Sequence, residues 1–110
     1  MNNCYKPTQL FFTNLSNPLK LAIVSSLEEG DKNVTELSID LGVEQSKLSH
    51  ALASLKRCKI VESKISGKER VYSLNKKLIF PFLKLINQFE EEFCKHCELL
   101  EKENSIVEIK

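Results

Sequence analysis

Near residue 58 the apolar pattern of the chain changes its period, and few small folds accommodate such a change. Leu48, Ala51, Leu52 and Leu55 recur at helical steps of three and four. Beyond them, residues 60–65 and 70–74 are rich in β-branched and aromatic side chains and flank Ser66-Gly67-Lys68-Glu69. The spacing predicts a helix over residues 45–57 followed by a hairpin, with Gly67 free to take a positive φ in the turn. A lone hairpin is barely stable in water, so it must lie against helices. The chain has 110 residues, three glycines and three prolines, which suits one mainly helical domain.

The remaining segments supply those helices. Residues 1–7 read as a loose arm ahead of a domain spanning 8–103, with 104–110 as a frayed tail. Leu10, Phe11 and Leu15 suggest a short first helix. Asn17 is placed to cap a second helix that has Pro18 at its first position, buries Leu19, Ala22, Ile23 and Leu27, and ends at Gly30. Val34, Leu37 and Leu41 mark a third, closed by Gly42, and Cys58 is expected in the core one turn beyond Leu55. A last helix is expected over about 76–102, beginning or bending near Pro81. It carries Phe80, Phe82, Phe89 and Phe93 among further apolar residues, more than one small domain can cover. That surplus predicts a homodimer built on the first and last helices.

Charge is distributed unevenly. Residues 45–75 hold seven Lys or Arg against two Glu, a net of +5, although the whole chain carries only +1. A basic middle between acidic flanks is expected of a surface that meets a polyanion. The segment from Thr35 to His50 has the spacing of two short helices joined by a tight turn. In a helix-turn-helix the second helix is pinned by an apolar stripe while short polar side chains face a major groove ~12 Å wide. The Gln45, Ser46, Lys47, Ser49 and His50 face meets that requirement. The hairpin then serves as a wing, with Lys64, Lys68 and Arg70 in reach of phosphates.

With these residues in place, the chain resembles the ArsR/SmtB family of winged helix-turn-helix transcriptional regulators over about residues 10–100. The carrying segments are Leu15-Ser16-Asn17-Pro18-Leu19-Lys20-Leu21-Ala22-Ile23-Val24, Thr35 to His50, Leu48 to Lys56, and Arg70-Val71-Tyr72-Ser73-Leu74. The resemblance implies about five helices with a β-hairpin wing, and a homodimer that binds operator DNA. It implies a repressor released by an effector, with Gln45, Ser46, Lys47, Ser49 and His50 facing DNA and Lys64, Lys68 and Arg70 on the wing. Two recognition helices one DNA turn apart are expected to read an imperfect palindrome in double-stranded DNA. The lack of an apolar membrane span or signal stretch makes the cytoplasm the expected location. Two features depart from the family pattern. Glu44 stands where a serine often caps the recognition helix, and Asn33-Val34-Thr35 stands where metal sensors carry Cys-Val-Cys. The acid and histidine zinc pattern of the last helix is missing as well.

Cys94, His96 and Cys97, with Cys4 in the arm, form the remaining candidate metal or redox group. Cysteines at i and i+3 share one helix face and can hold a soft metal such as zinc, completed by His96, Cys4 or the partner chain. The competing reading is structural, since Cys97 continues an apolar stripe. Thiol oxidoreductases place such a pair at a helix N-terminus, where the dipole lowers the thiol pKa; this pair lies well inside a predicted helix, and no enzyme activity is expected. No apolar run reaches the ~20 residues of a membrane span. The alternative to a DNA-binding regulator is a winged-helix module that binds protein and has lost DNA binding.

Overall fold

Helix starts and stops follow from local chemistry. In the computed structural model, which describes residues 6–94, the elements are α1 (Lys6–Ser16), α2 (Pro18–Glu28), β1 (Lys32–Asn33), α3 (Val34–Leu41), α4 (Gln45–Arg57), β2 (Val61–Ser66), β3 (Glu69–Leu74) and α5 (Lys76–Cys94). Asn17 caps α2 by accepting the Lys20 N–H at 3.0 Å, and Pro18 occupies the first turn, where its missing N–H costs nothing. Gly42 ends α3 in the left-handed region at φ 66°, a conformation other residues adopt only with strain. Lys6 and Pro7, expected in the loose arm, are helical, a correction to the first boundary. The rest of the arm and residues 95–110 lie outside the described residues.

Two features carry no obvious signal in the sequence. The end of α4 is closed by Lys59 at φ 64°, where glycine is usual. The Ile60 N–H donates to the Leu55 carbonyl and the Lys59 N–H to the Lys56 carbonyl, both at 3.0 Å, so the last helical carbonyls are satisfied without glycine. The second is β1, only two residues long, which pairs antiparallel with β3 (Lys32 opposite Tyr72, Asn33 opposite Val71). The hairpin is thus part of a three-stranded sheet in the order β1-β3-β2.

The described residues divide into two units between Asn75 and Lys76. In the first, Ile23, Val24 and Leu27 of α2, Leu37 of α3, Leu48, Ala51, Leu52 and Leu55 of α4, and Ile60, Val61 and Leu74 at the base of the wing are each at most 5% exposed. The one-sided stripe of α4 is therefore its anchor. Buried polar atoms are paired, as burial demands. The Asn14 carboxamide of α1 accepts from the Ser54 hydroxyl at 2.8 Å and donates to Cys58 Sγ at 2.9 Å. Cys58 is half-buried rather than a full core residue.

Lys32 links α2, β1 and α3. Its ammonium donates to the Ser26 carbonyl (3.0 Å) and hydroxyl (2.7 Å), to Glu29 (3.0 Å) and to Asp40 (3.1 Å), while the Ser26 hydroxyl donates to Asp40. The bonds from Ser26 and then Lys32 hold the Asp40 carboxyl below its ordinary value. A depressed carboxyl stabilises the fold above its unfolded pKa of ~3.9, and that contribution is lost as pH falls through the lower folded value. Asp40→Asn should therefore lower stability at neutral pH and flatten the acid limb of a melting-temperature profile. An unchanged acid limb would show that Asp40 is not held this way.

The second unit is the single long helix α5, which runs from Lys76 through Pro81. Leu78, Phe82, Leu85, Phe89 and Phe93 recur along one side of it at steps of three and four. Among them Leu85 and Phe89 are about 60% exposed (61% and 60%), and the Phe89 and Phe93 rings stack at 5.4 Å.

Candidate nucleic-acid interface

The turn between α3 and α4 is fixed at both ends. Asn33 and Glu36 exchange side-chain and backbone hydrogen bonds at the start of α3, Asn33 accepting the Glu36 N–H at 2.8 Å and Glu36 accepting the Asn33 N–H at 2.9 Å. At the other end the Ser38 hydroxyl donates to the Val43 carbonyl at 2.7 Å, and the Gly42 N–H to the Ser38 carbonyl at 2.8 Å. With α3 packed on α4, the direction of α4 is set. Asn33 and Thr35, at the family's cysteine positions, are both engaged. Asn33 caps α3, and Thr35 accepts a bond from Gln45 Nε2 at 3.4 Å.

Every residue proposed from the sequence to face DNA is solvent-exposed: Gln45, Ser46, Lys47, Ser49, His50, Lys64, Lys68 and Arg70. Directly opposite the buried stripe of α4 runs the line Ser46, His50, Ala53 and Arg57, at steps of three and four. Gln45 and Ser49 flank it toward α3, whereas Lys47 and Ser54 flank it on the other side. Ser46 is not idle, because its hydroxyl donates to the Glu44 carboxylate at 2.9 Å. Glu44 occupies the cap position without capping through its side chain, which leaves a negative charge beside the first turn, where the helix dipole favours it.

The wing is less uniform than its composition suggests. Lys64 pairs with Val71 and Ile65 with Arg70, so Lys64 and Arg70 lie on opposite faces of the hairpin. Lys68 sits in the turn beside Gly67, which is at φ 66°. Arg70 donates to Ser63 Oγ at 3.3 Å, and neighbouring Glu69 accepts from Asn33 at 2.8 Å, tying the wing to the start of α3. Arg57 and Lys20 were not among the expected residues. Arg57 was detectable, because it lies two turns beyond His50; Lys20 was not, because its place beside α4 depends on the packing of α2.

The cysteine group is a different matter. Cys94 is the last helical residue described, and its side chain, together with Cys4, His96 and Cys97, lies outside the described residues.

A helix pair with a braced turn, an exposed second helix and a basic hairpin behind it defines the winged helix-turn-helix class. The family model described as "Bacterial regulatory protein, arsR family" matches residues 17–63. A biofilm growth-associated repressor of Xylella fastidiosa is 34% identical over 80 residues, covering 73% of this chain and 68% of that protein. The chain belongs to the arsR family of bacterial regulatory proteins. An HTH-type transcriptional regulator of Mycobacterium tuberculosis, Rv0081, is 38% identical over 71 residues, and the match spans 64% of this chain and 62% of that relative's length. Its crystal structure superposes with a TM-score of 0.76 at 29% identity, covering 86% of this chain and 96% of that one. HlyU from Vibrio cholerae gives a TM-score of 0.69 at 25% identity, covering 81% and 97%.

Proposed function

We propose that this chain is a DNA-binding transcriptional repressor that acts in the cytoplasm as a homodimer. One observation carries the reading: Ser46, Lys47, Ser49 and His50 stand exposed on a helix whose opposite side is wholly buried. A helix held in that way can enter a major groove without rearrangement. Ser49 and His50 are assigned to base edges, and Lys64, Lys68 and Arg70 to phosphates on either side of the wing. The exposed apolar side of α5 supplies a surface for the second copy, as the apolar residues Leu10 and Phe12 do on α1, at 43% and 54% exposure. Two recognition helices about one DNA turn apart, ~34 Å, would read an imperfect palindrome.

Mobility-shift titration of genomic fragments at low salt tests the proposal. A discrete complex with some fragments, containing two chains, is the expected result. Purified dimer that shifts no fragment would replace this reading with the protein-interaction module.

A further inference from the structure

Beyond α4 and the wing, a third cationic element borders the recognition helix. An open groove of approximately 540 Å³ runs between the N-terminus of α2 and one flank of α4. Its polar and charged lining consists of Asn17, Lys20, Lys47, His50, Ser54 and Arg57, and no acidic side chain contributes. We propose that this groove seats the sugar–phosphate backbone of one DNA strand, with Lys20 and Arg57 as phosphate contacts. The inference rests on the DNA-binding reading and adds to it a second wall of contact supplied by α2.

Position is the first argument. When a recognition helix enters a major groove, the exposed residues of its first two turns reach base edges, while the flank beside a neighbouring element and the C-terminal end approach a backbone. On α4 the outermost line is Ser46, His50, Ala53 and Arg57. The flank carrying Lys47 and Ser54 is the one that α2 borders, and Lys20 extends it. A strand following that flank would pass through the groove. Arg57, at the last turn of the outermost line, closes its end.

Preorganisation is the second. Lys20 is half-buried, and its ammonium donates to the Ser54 hydroxyl at 3.2 Å. Ser54 in turn donates to Asn14, which is 2% exposed and fixed by Cys58. This chain of bonds holds a flexible side chain in one place, so less rotamer entropy is lost when a phosphate arrives. Charge pairing is the third. Both ion pairs among the described residues use Lys32, a structural lysine surrounded by Glu29 and Asp40. Lys20, Lys47 and Arg57 form none there, which leaves their charge available to a polyanion.

The test uses the full chain and a DNA fragment recovered by its own binding. Affinity is measured against salt by fluorescence anisotropy for the wild type, Lys20→Gln, Arg57→Gln and Lys20→Arg. Each phosphate contact contributes ~0.9 to the logarithmic salt slope, so a dimer losing two copies should flatten by roughly 1.8. Both glutamine variants should show that flattening, weaken specific and scrambled DNA by the same factor, and keep the wild-type sequence preference. Lys20→Arg should retain the steep slope. Slopes unchanged in folded glutamine variants, beside a wild type that binds, would overturn the groove assignment and leave the DNA-binding reading intact. A changed sequence preference would also overturn it, by making these residues base readers. A wild type that binds no DNA would remove both readings.

Discussion

Raising the salt from 50 to 200 mM should weaken DNA binding by this protein at least about a thousandfold. The figure follows from Lys64, Lys68 and Arg70, which are exposed on the wing of each subunit. If, as proposed, each subunit makes three phosphate contacts and two subunits bind together, the six contacts at ~0.9 each give a logarithmic slope near −5. A fourfold change in salt at that slope is roughly three orders of magnitude, and contacts in the α2 groove would steepen it. The opposite faces occupied by Lys64 and Arg70 favour this outcome, since a hairpin lying along a minor groove meets phosphates on both sides. Net charge gives no hint of the effect, because +1 for the whole chain conceals +5 in its middle segment. A salt slope shallower than about −2 would mean that the wing does not touch the backbone.

The second large effect concerns the fold that positions the interface. Leu52 lies at the middle of the buried stripe of α4 and is 0% exposed. Leu52→Ala should cost about 2–5 kcal/mol, because it removes apolar contact and leaves a cavity that its neighbours fill only in part. Small domains hold only about 5–15 kcal/mol in total, so this single change should shift the urea midpoint far more than any surface substitution. It should also weaken binding to every DNA sequence by the fraction of chain unfolded. A loss under ~1 kcal/mol would place Leu52 outside a packed core.

Much of the architecture was legible because its signals are local. Asn17-Pro18 and Gly42 act within one or two residues of where they stand, and the stripe Leu48, Ala51, Leu52 and Leu55 states its own period. The hairpin was equally visible, since a change of period on either side of Gly67 is a local property. What escaped depends on partners distant in the chain. Lys32 and Asn33 form a strand only because Tyr72 and Val71 lie beside them. Lys59 adopts a left-handed conformation because the end of α4 and Asn75 close around it, the Asn75 amide donating to the Lys59 carbonyl at 2.8 Å. Asn14 is polar and nearly inaccessible, and only Ser54 and Cys58, more than 35 residues away, explain it.

The candidate interface divides in the same way. Its line on α4, Arg57 included, is traceable by counting residues. The opposite faces of Lys64 and Arg70 required the strand register, and Lys20 required the packing of α2. Glu44 shows the limit of pattern matching from the other direction: it occupies the cap position of α4 but binds Ser46 instead of a backbone N–H.

On the proposed reading, the exposed side of α4 distinguishes one DNA sequence from another. Its most direct test is selection of bound fragments from a randomised DNA pool, carried out with the wild type and with a Ser49→Ala, His50→Ala double variant at the same salt. The wild type should recover a two-fold-related motif. The double variant should bind DNA with a similar salt slope but lose preference at particular positions of each half-site, at ~1–3 kcal/mol for each base contact removed. If both proteins recover the same motif with the same strength, Ser49 and His50 do not read the bases and α4 is not the recognition helix.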